Sequence, residues 1–171
     1  MTHPVPPADD PDVAAQIDAV AGGWVRAMGL RFTYATRHEV RAELVVAEVH
    51  LQPYGLVHGG VYCGIVESLA SVGAALESMR SGRWIVGVEN TTRFLKATRA
   101  GVLTAVGRPV SVSDTQSVWQ VDIHDAGGTL VASGGVTAKV LPLGAKLAGA
   151  EVTVAGMDTA SARVDSPAER R

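Results

Sequence analysis

Residues 51–79, LQPYGLVHGGVYCGIVESLASVGAALESM, constrain the rest of the chain. A turn at Gln52-Pro53-Tyr54-Gly55 leads into His58-Gly59-Gly60, and an apolar run follows with one acid, Glu67, near its middle. The run 60–79 is too long for an ordinary strand and rich in Ala, Leu and Glu, so it predicts a helix. At helical spacing it has two faces. Val61, Tyr62, Ile65, Val66, Leu69, Ala70, Val72 and Leu76 form a broad apolar face, while Gly60, Cys63, Gly64, Glu67, Ser68 and Ser71 line the other. A solvated face would carry several Lys, Arg and Glu. This one is small, with a single ionisable group, and so predicts a close neighbour, most simply a second copy of the chain.

A length of 171 residues suits one domain with a sizeable core. The net charge of -2 makes no electrostatic case for a nucleic-acid partner. The single Cys63 excludes an internal disulfide and fits a reducing compartment, so the expected location is the cytoplasm. The opening MTHPVPPADDPD is acidic and Pro-rich, without the basic-then-apolar order of a signal peptide. Residues 59–76 have about the minimum span of a membrane helix, but Glu67 inside them argues for a buried helix, and no membrane partner is expected.

Residues 1–22 read as a mobile Pro-rich arm followed by a short helix that stops at Gly22-Gly23. Alternation predicts strands at 30–36 and 40–49 before the long helix. Strands at 84–97, 102–112, 117–124 and 129–141 come after it, with a hairpin at 125–128 and a bend or bulge at Gly134-Gly135. Residues 143–171 lack sustained periodicity and read as a poorly ordered tail, leaving 23–142 as the domain. Consecutive antiparallel strands with one buried helix imply an α+β fold, the helix laying its large-residue face on the sheet.

The segments QPYGLVHGGVYCGIVESLAS, VGVENTTRFLKATRAG and VWQVDIHDAGGTLVASG resemble the PaaI-like group of hotdog-fold acyl-CoA thioesterases, across residues 28–142. The resemblance implies an antiparallel sheet wrapped around one long central helix, and hydrolysis of an acyl-CoA to free acid and coenzyme A without a cofactor or metal. It further implies a homodimer or homotetramer with active sites at the subunit interface. Glu67 falls in the register of the branch whose catalytic carboxylate is a Glu. The Gly60 amide inherits the role of polarising the thioester carbonyl, and His58 and Gln52 that of orienting the reacting group. The loop Ser113-Asp114-Thr115 matches one near the nucleotide, although Asp114 is a poor companion for phosphates.

The residues themselves support part of this. Thioester hydrolysis needs a nucleophile or general base and an oxyanion donor. Glu67 supplies the first; the bland reading is a buried Glu paired with an Arg, yet no basic residue lies within a turn of it on the helix. Gly59 and Gly60 open the helix, where N–H groups lack intrahelical partners. Ser71, one turn after Glu67, reaches either that carboxylate or its own backbone. Cys63 has no His or Asn partner and reads as inert. Gly59, Asn90, Arg93, Ser113 and Thr115 complete the candidate substrate-binding set. Arg93, Lys96, Arg99 and Arg108 are candidate phosphate-holding cations, although a solvated strand edge explains each equally well. Tyr62, Trp84 and Phe94 suit core packing better than an aromatic acyl pocket. The rival function is a hotdog protein that binds or senses acyl-CoA without hydrolysis, against which a buried acid argues. Finally, seven residues separate Gly60 from Glu67, about 10 Å along a helix, too far to serve one carbonyl. Two chains are expected to share each site.

Overall fold

The computed structural model describes residues 10–152. Two short helices, α1 (Ala14–Val20) and α2 (Gly23–Met28), precede strands β1 (Arg31–Ala35) and β2 (Val40–Val45). The long helix α3 (Gly59–Met79) follows, and then β3 (Arg83–Phe94), β4 (Val102–Val112), β5 (Gln116–His124) and β6 (Leu130–Pro142). Six strands pair antiparallel in the order β1-β2-β4-β5-β6-β3. The sheet curls around α3, which packs against β2, β3, β4, β5 and β6. This is the α+β architecture that the strand pattern and the resemblance both imply.

The buried stripe of α3 comprises Val61, Tyr62, Ile65, Val66, Leu69, Ala70, Gly73, Ala74 and Ser78. Val72 and Leu76, expected in it, are only half-buried. The reason lies opposite Gly73: a Cβ there would sit 2.1 Å from the Trp119 ring. Trp119, 1% exposed, fills the space a larger helix residue would take, and its indole N–H donates to Ser117 Oγ at 3.0 Å. By length and apolarity α3 meets the test for a membrane span. Its buried stripe on the sheet accounts for that composition as a core helix.

Several boundaries depart from the pattern-based expectation. The first helix ends at Val20, before Gly22-Gly23 as expected, but Gly23, at φ 52°, then turns the chain into a second helix, α2, that the pattern does not predict. Strand β2 stops at Val45 because His50 folds back, accepting the Ala47 N–H at Nδ1 (2.9 Å) and meeting the Met28 carbonyl at Nε2 (2.8 Å). Gly134 and Gly135 stay in register opposite Thr92 and Thr91, with no bulge. Gly134 is there for closeness: a Cβ would lie 2.7 Å from Thr92 Oγ1. The β3 register shift falls instead between Gly87 and Glu89. Beyond β6 a small hairpin pairs β7 (Lys146–Leu147) with β8 (Ala150–Glu151). The rest of the expected arm and tail, 1–9 and 153–171, lies outside the described residues.

Candidate active site

The turn before α3 is built by backbone bonds and one cation. Gly55 N–H donates to the Gln52 carbonyl and Gln52 N–H to the Leu56 carbonyl, both at 2.8 Å. Arg99 Nη1 donates to the Tyr54 and Gly55 carbonyls at 2.9 and 3.2 Å, so this expected phosphate-holding cation braces the turn. His58 is the N-cap of α3. Its Nδ1 accepts the Gly60 N–H at 2.9 Å, the same donor expected for a substrate carbonyl. Gln52 and Gly59 line a cleft of about 270 Å³ together with Leu56, Tyr62, Phe94 and Lys96. Gly59 is needed here because a Cβ would meet Phe94 at 2.6 Å.

Two turns into α3, Glu67 is half-buried and held by neutral donors alone. Ser71 Oγ donates to Oε1 and Asn90 Nδ2 to Oε2, each at 3.1 Å. Asn90 Nδ2 also reaches the Cys63 carbonyl at 3.1 Å. Thr92 Oγ1 donates to Asn90 Oδ1 at 2.7 Å, which turns the amide NH2 toward the carboxylate. No ion pair to Glu67 occurs among the described residues. The Arg-paired reading of this acid is therefore set aside. Ser71 resolves its two options in favour of the carboxylate; Ser68, by contrast, bonds its own backbone at the Gly64 carbonyl, 2.7 Å away.

The small face of α3 is closely approached, as expected, but by the chain itself. Trp24 of α2 lies on Gly64, where a Cβ would meet its Nε1 at 2.5 Å. Gly87 of β3 backs Glu67, with a Cβ position 2.6 Å from Oε1. Both of these neighbours come from the same chain. Gly87, Thr92 and Trp24 are absent from the site as read from sequence. A glycine in the middle of a β-rich run, V-G-V-E-N, is the available signal for the first.

The remaining candidates sit elsewhere. Ser113 and Thr115 are exposed in the β4–β5 loop, where Ser113 Oγ closes the turn with Gln116. Asp114 pairs with Arg83 at 2.9 Å beside a cavity of about 470 Å³ that also touches Glu77 and Ser78, at the far end of α3. Ser78 follows Glu67 by eleven positions, roughly 16 Å of helix, so one chain does not bring this loop to Glu67. Arg93 is exposed on β3. Lys96 binds Asp125 at 3.2 Å, and Arg108 pairs with Glu39.

Residues 54–132 match the profile of the thioesterase superfamily. The Mycobacterium tuberculosis protein Rv1847 is 39% identical over 111 residues, 64% of this chain and 79% of its own length. This chain belongs to the thioesterase superfamily. The superfamily member named 1,4-dihydroxy-2-naphthoyl-CoA hydrolase in Escherichia coli is 29% identical over 70% of this chain and 88% of its own. The crystal structure of a mutant of thioesterase PA1618 from Pseudomonas aeruginosa superposes with a TM-score of 0.72 at 28% identity, covering 76% and 94% of the two chains. The fold is the hotdog, and the chain is a thioester hydrolase.

Proposed function

We propose that this thioesterase hydrolyses acyl-CoA substrates in the cytoplasm with Glu67 as nucleophile or general base. The carrying observation is the Glu67 carboxylate, half-buried and gripped by Ser71 and Asn90 with no cation beside it among the described residues. A carboxylate so held keeps a fixed aim and a charge that no counter-ion quenches, as attack on a carbonyl or on water requires. Asn90 is then a positioning residue rather than a substrate contact. Gly60 N–H polarises the thioester carbonyl, and His58 and Gln52 orient it. The carbonyl must first displace the His58 ring from that N–H. The ring is exposed, and giving up an N-cap bond costs about 1 kcal/mol.

Gly60 and Glu67 stand about 10 Å apart along α3, which favours a homodimer that shares its sites. The outer edge of β3 pairs with no described strand. Two copies joined antiparallel along it would have their α3 helices antiparallel on one face, each with Glu67 toward the junction. Arg93, Ser113 and Thr115 are the proposed contacts to coenzyme A. The test is thiol release from a panel of aliphatic and aromatic acyl-CoAs. Turnover of at least one supports the reading; hydrolysis of none overturns it.

A further inference from the structure

Resting on the acyl-CoA reading, we propose that Tyr62 is a substrate-binding residue whose hydroxyl donates a hydrogen bond to an oxygen of the bound thioester. Tyr62 is 3% exposed, lines the cleft beside Gly59 and Gln52, and its hydroxyl has no hydrogen-bond partner. A buried hydroxyl without a partner is costly, and native structures keep few of them without cause. The cleft around it combines apolar Leu56 and the Phe94 ring, whose centroid is 5.8 Å away, with polar Gln52 and Lys96. Phe94 itself is 56% exposed and rests on Gly59, so it covers Tyr62 from the solvent side without being locked into the core. Thr98, the residue after Ala97 of the cleft wall, carries a second buried hydroxyl with no partner.

A core tyrosine used only for packing does better as phenylalanine, because nothing among the described residues receives the O–H. The cleft it lines includes Val57 and Gly59, the chain neighbours of His58 and Gly60, where the thioester is proposed to sit. The acceptor assigned to it is an oxygen of the substrate. It comes either from the acyl group or from an amide carbonyl of the pantetheine arm.

The experiment is Tyr62→Phe, assayed by thermal melting and by hydrolysis of three substrates: benzoyl-CoA, 4-hydroxybenzoyl-CoA and the N-acetylcysteamine thioester of benzoate. The melting temperature is expected to hold or rise, because the change removes an unpartnered group. The value of kcat/KM is expected to fall about ten-fold wherever the bond is made. A fall confined to the hydroxylated acyl group assigns the acceptor to the acyl side. An equal fall for both CoA thioesters, with less for the truncated thioester, assigns it to the pantetheine arm. Changes within two-fold on all three overturn the proposal. If wild-type protein cleaves none of them, binding of S-phenacyl-CoA, a thioether that cannot be hydrolysed, separates the two ideas. A ten-fold weaker Kd for Tyr62→Phe upholds the hydroxyl contact whatever the wider acyl-CoA panel shows about hydrolysis, and an equal Kd overturns the contact.

Discussion

The two outer edges of the sheet are treated in opposite ways. At β1 the chain closes its own edge: Asp12 Oδ1 accepts the Ala35 N–H and Asp18 Oδ1 the Phe32 N–H, both at 2.9 Å, while Val13 N–H donates to the Ala35 carbonyl. That strand is also short and its register shifts between Phe32 and Tyr34. These are devices that keep an edge from pairing with another chain. At β3 no side chain caps a backbone N–H of the outer edge among the described residues, although this strand too shifts register, between Gly87 and Glu89. The strand has 12 residues, its stretch 88–91 is exposed, and Val88 is 61% exposed. Glu67 stands directly behind this strand, against its Asn90 and Gly87. The contrast is that the chain commits side chains to closing one edge and leaves the other uncapped, the division that the proposed shared site would use.

If that division is real, a change behind β3 should remove turnover without touching stability. Glu67→Gln keeps the volume and the bonds to Ser71 and Asn90 within reach while removing the negative charge. We expect kcat to fall by roughly 10² or more with the melting temperature within a degree or two. Steady-state kinetics beside a melting curve decides it, and near-normal turnover would end the assignment. The next effect is smaller but tests the edge more sharply. Chains carrying His58→Ala and chains carrying Glu67→Ala, each inactive alone, are co-expressed and the mixed dimer is isolated. A site shared across β3 leaves one of its two sites fully wild type and restores about half the normal activity per dimer. A mixed dimer as inactive as its parents would mean that each site is built within one chain.

Much of this is legible in the sequence, and unevenly so. The helix, the strand run after it and the acid in the helix follow from period and length, which depend on local chemistry. The partners of Glu67 are only half legible. Ser71 lies one turn away on the same helix, so spacing finds it; Asn90 and Thr92 arrive from a strand 23 and 25 positions later, and nothing local reports their aim. Sequence alone therefore places Asn90 among the substrate contacts. Glycine misleads for the same reason. Gly73, Gly87 and Gly134 exist to admit Trp119, Glu67 and Thr92, long-range neighbours that a one-dimensional pattern does not contain. The cations Lys96, Arg99 and Arg108 look alike as sequence, and their separate structural uses appear only with the fold.

The closed edge predicts the reverse of Glu67→Gln. Asp12→Ala leaves two backbone N–H groups, of Ala14 and Ala35, without their shared acceptor at 3.0 and 2.9 Å. We expect a loss of about 1–3 kcal/mol in denaturant unfolding, with kcat for the folded fraction unchanged. A fall in kcat at full folding would show that the two edges are coupled and dissolve the contrast.

The smallest expected effect concerns how β3 is steadied at its far end. Just past that strand, Lys96 reaches Asp125 in the β5–β6 hairpin at 3.2 Å. The Asp125 carboxyl is held below its ordinary value of 3.8, chiefly by the Thr129 N–H, against some desolvation, with help from the Lys96 ammonium and the Gly127 N–H. A carboxyl that titrates lower in the folded chain than in the unfolded one releases its proton more readily when folded. Its stabilising contribution is therefore complete above the unfolded value and is lost as pH falls toward and through the folded one. Asp125→Asn should flatten the pH dependence of stability slightly in that acid range. Near neutral pH it should cost little, because the pair is at the surface and screened by salt. Melting curves from neutral pH down through the acid range compare the two proteins. Parallel curves would mean that the hairpin does not hold the end of β3 through this charge, and that the open edge is steadied by β6 alone.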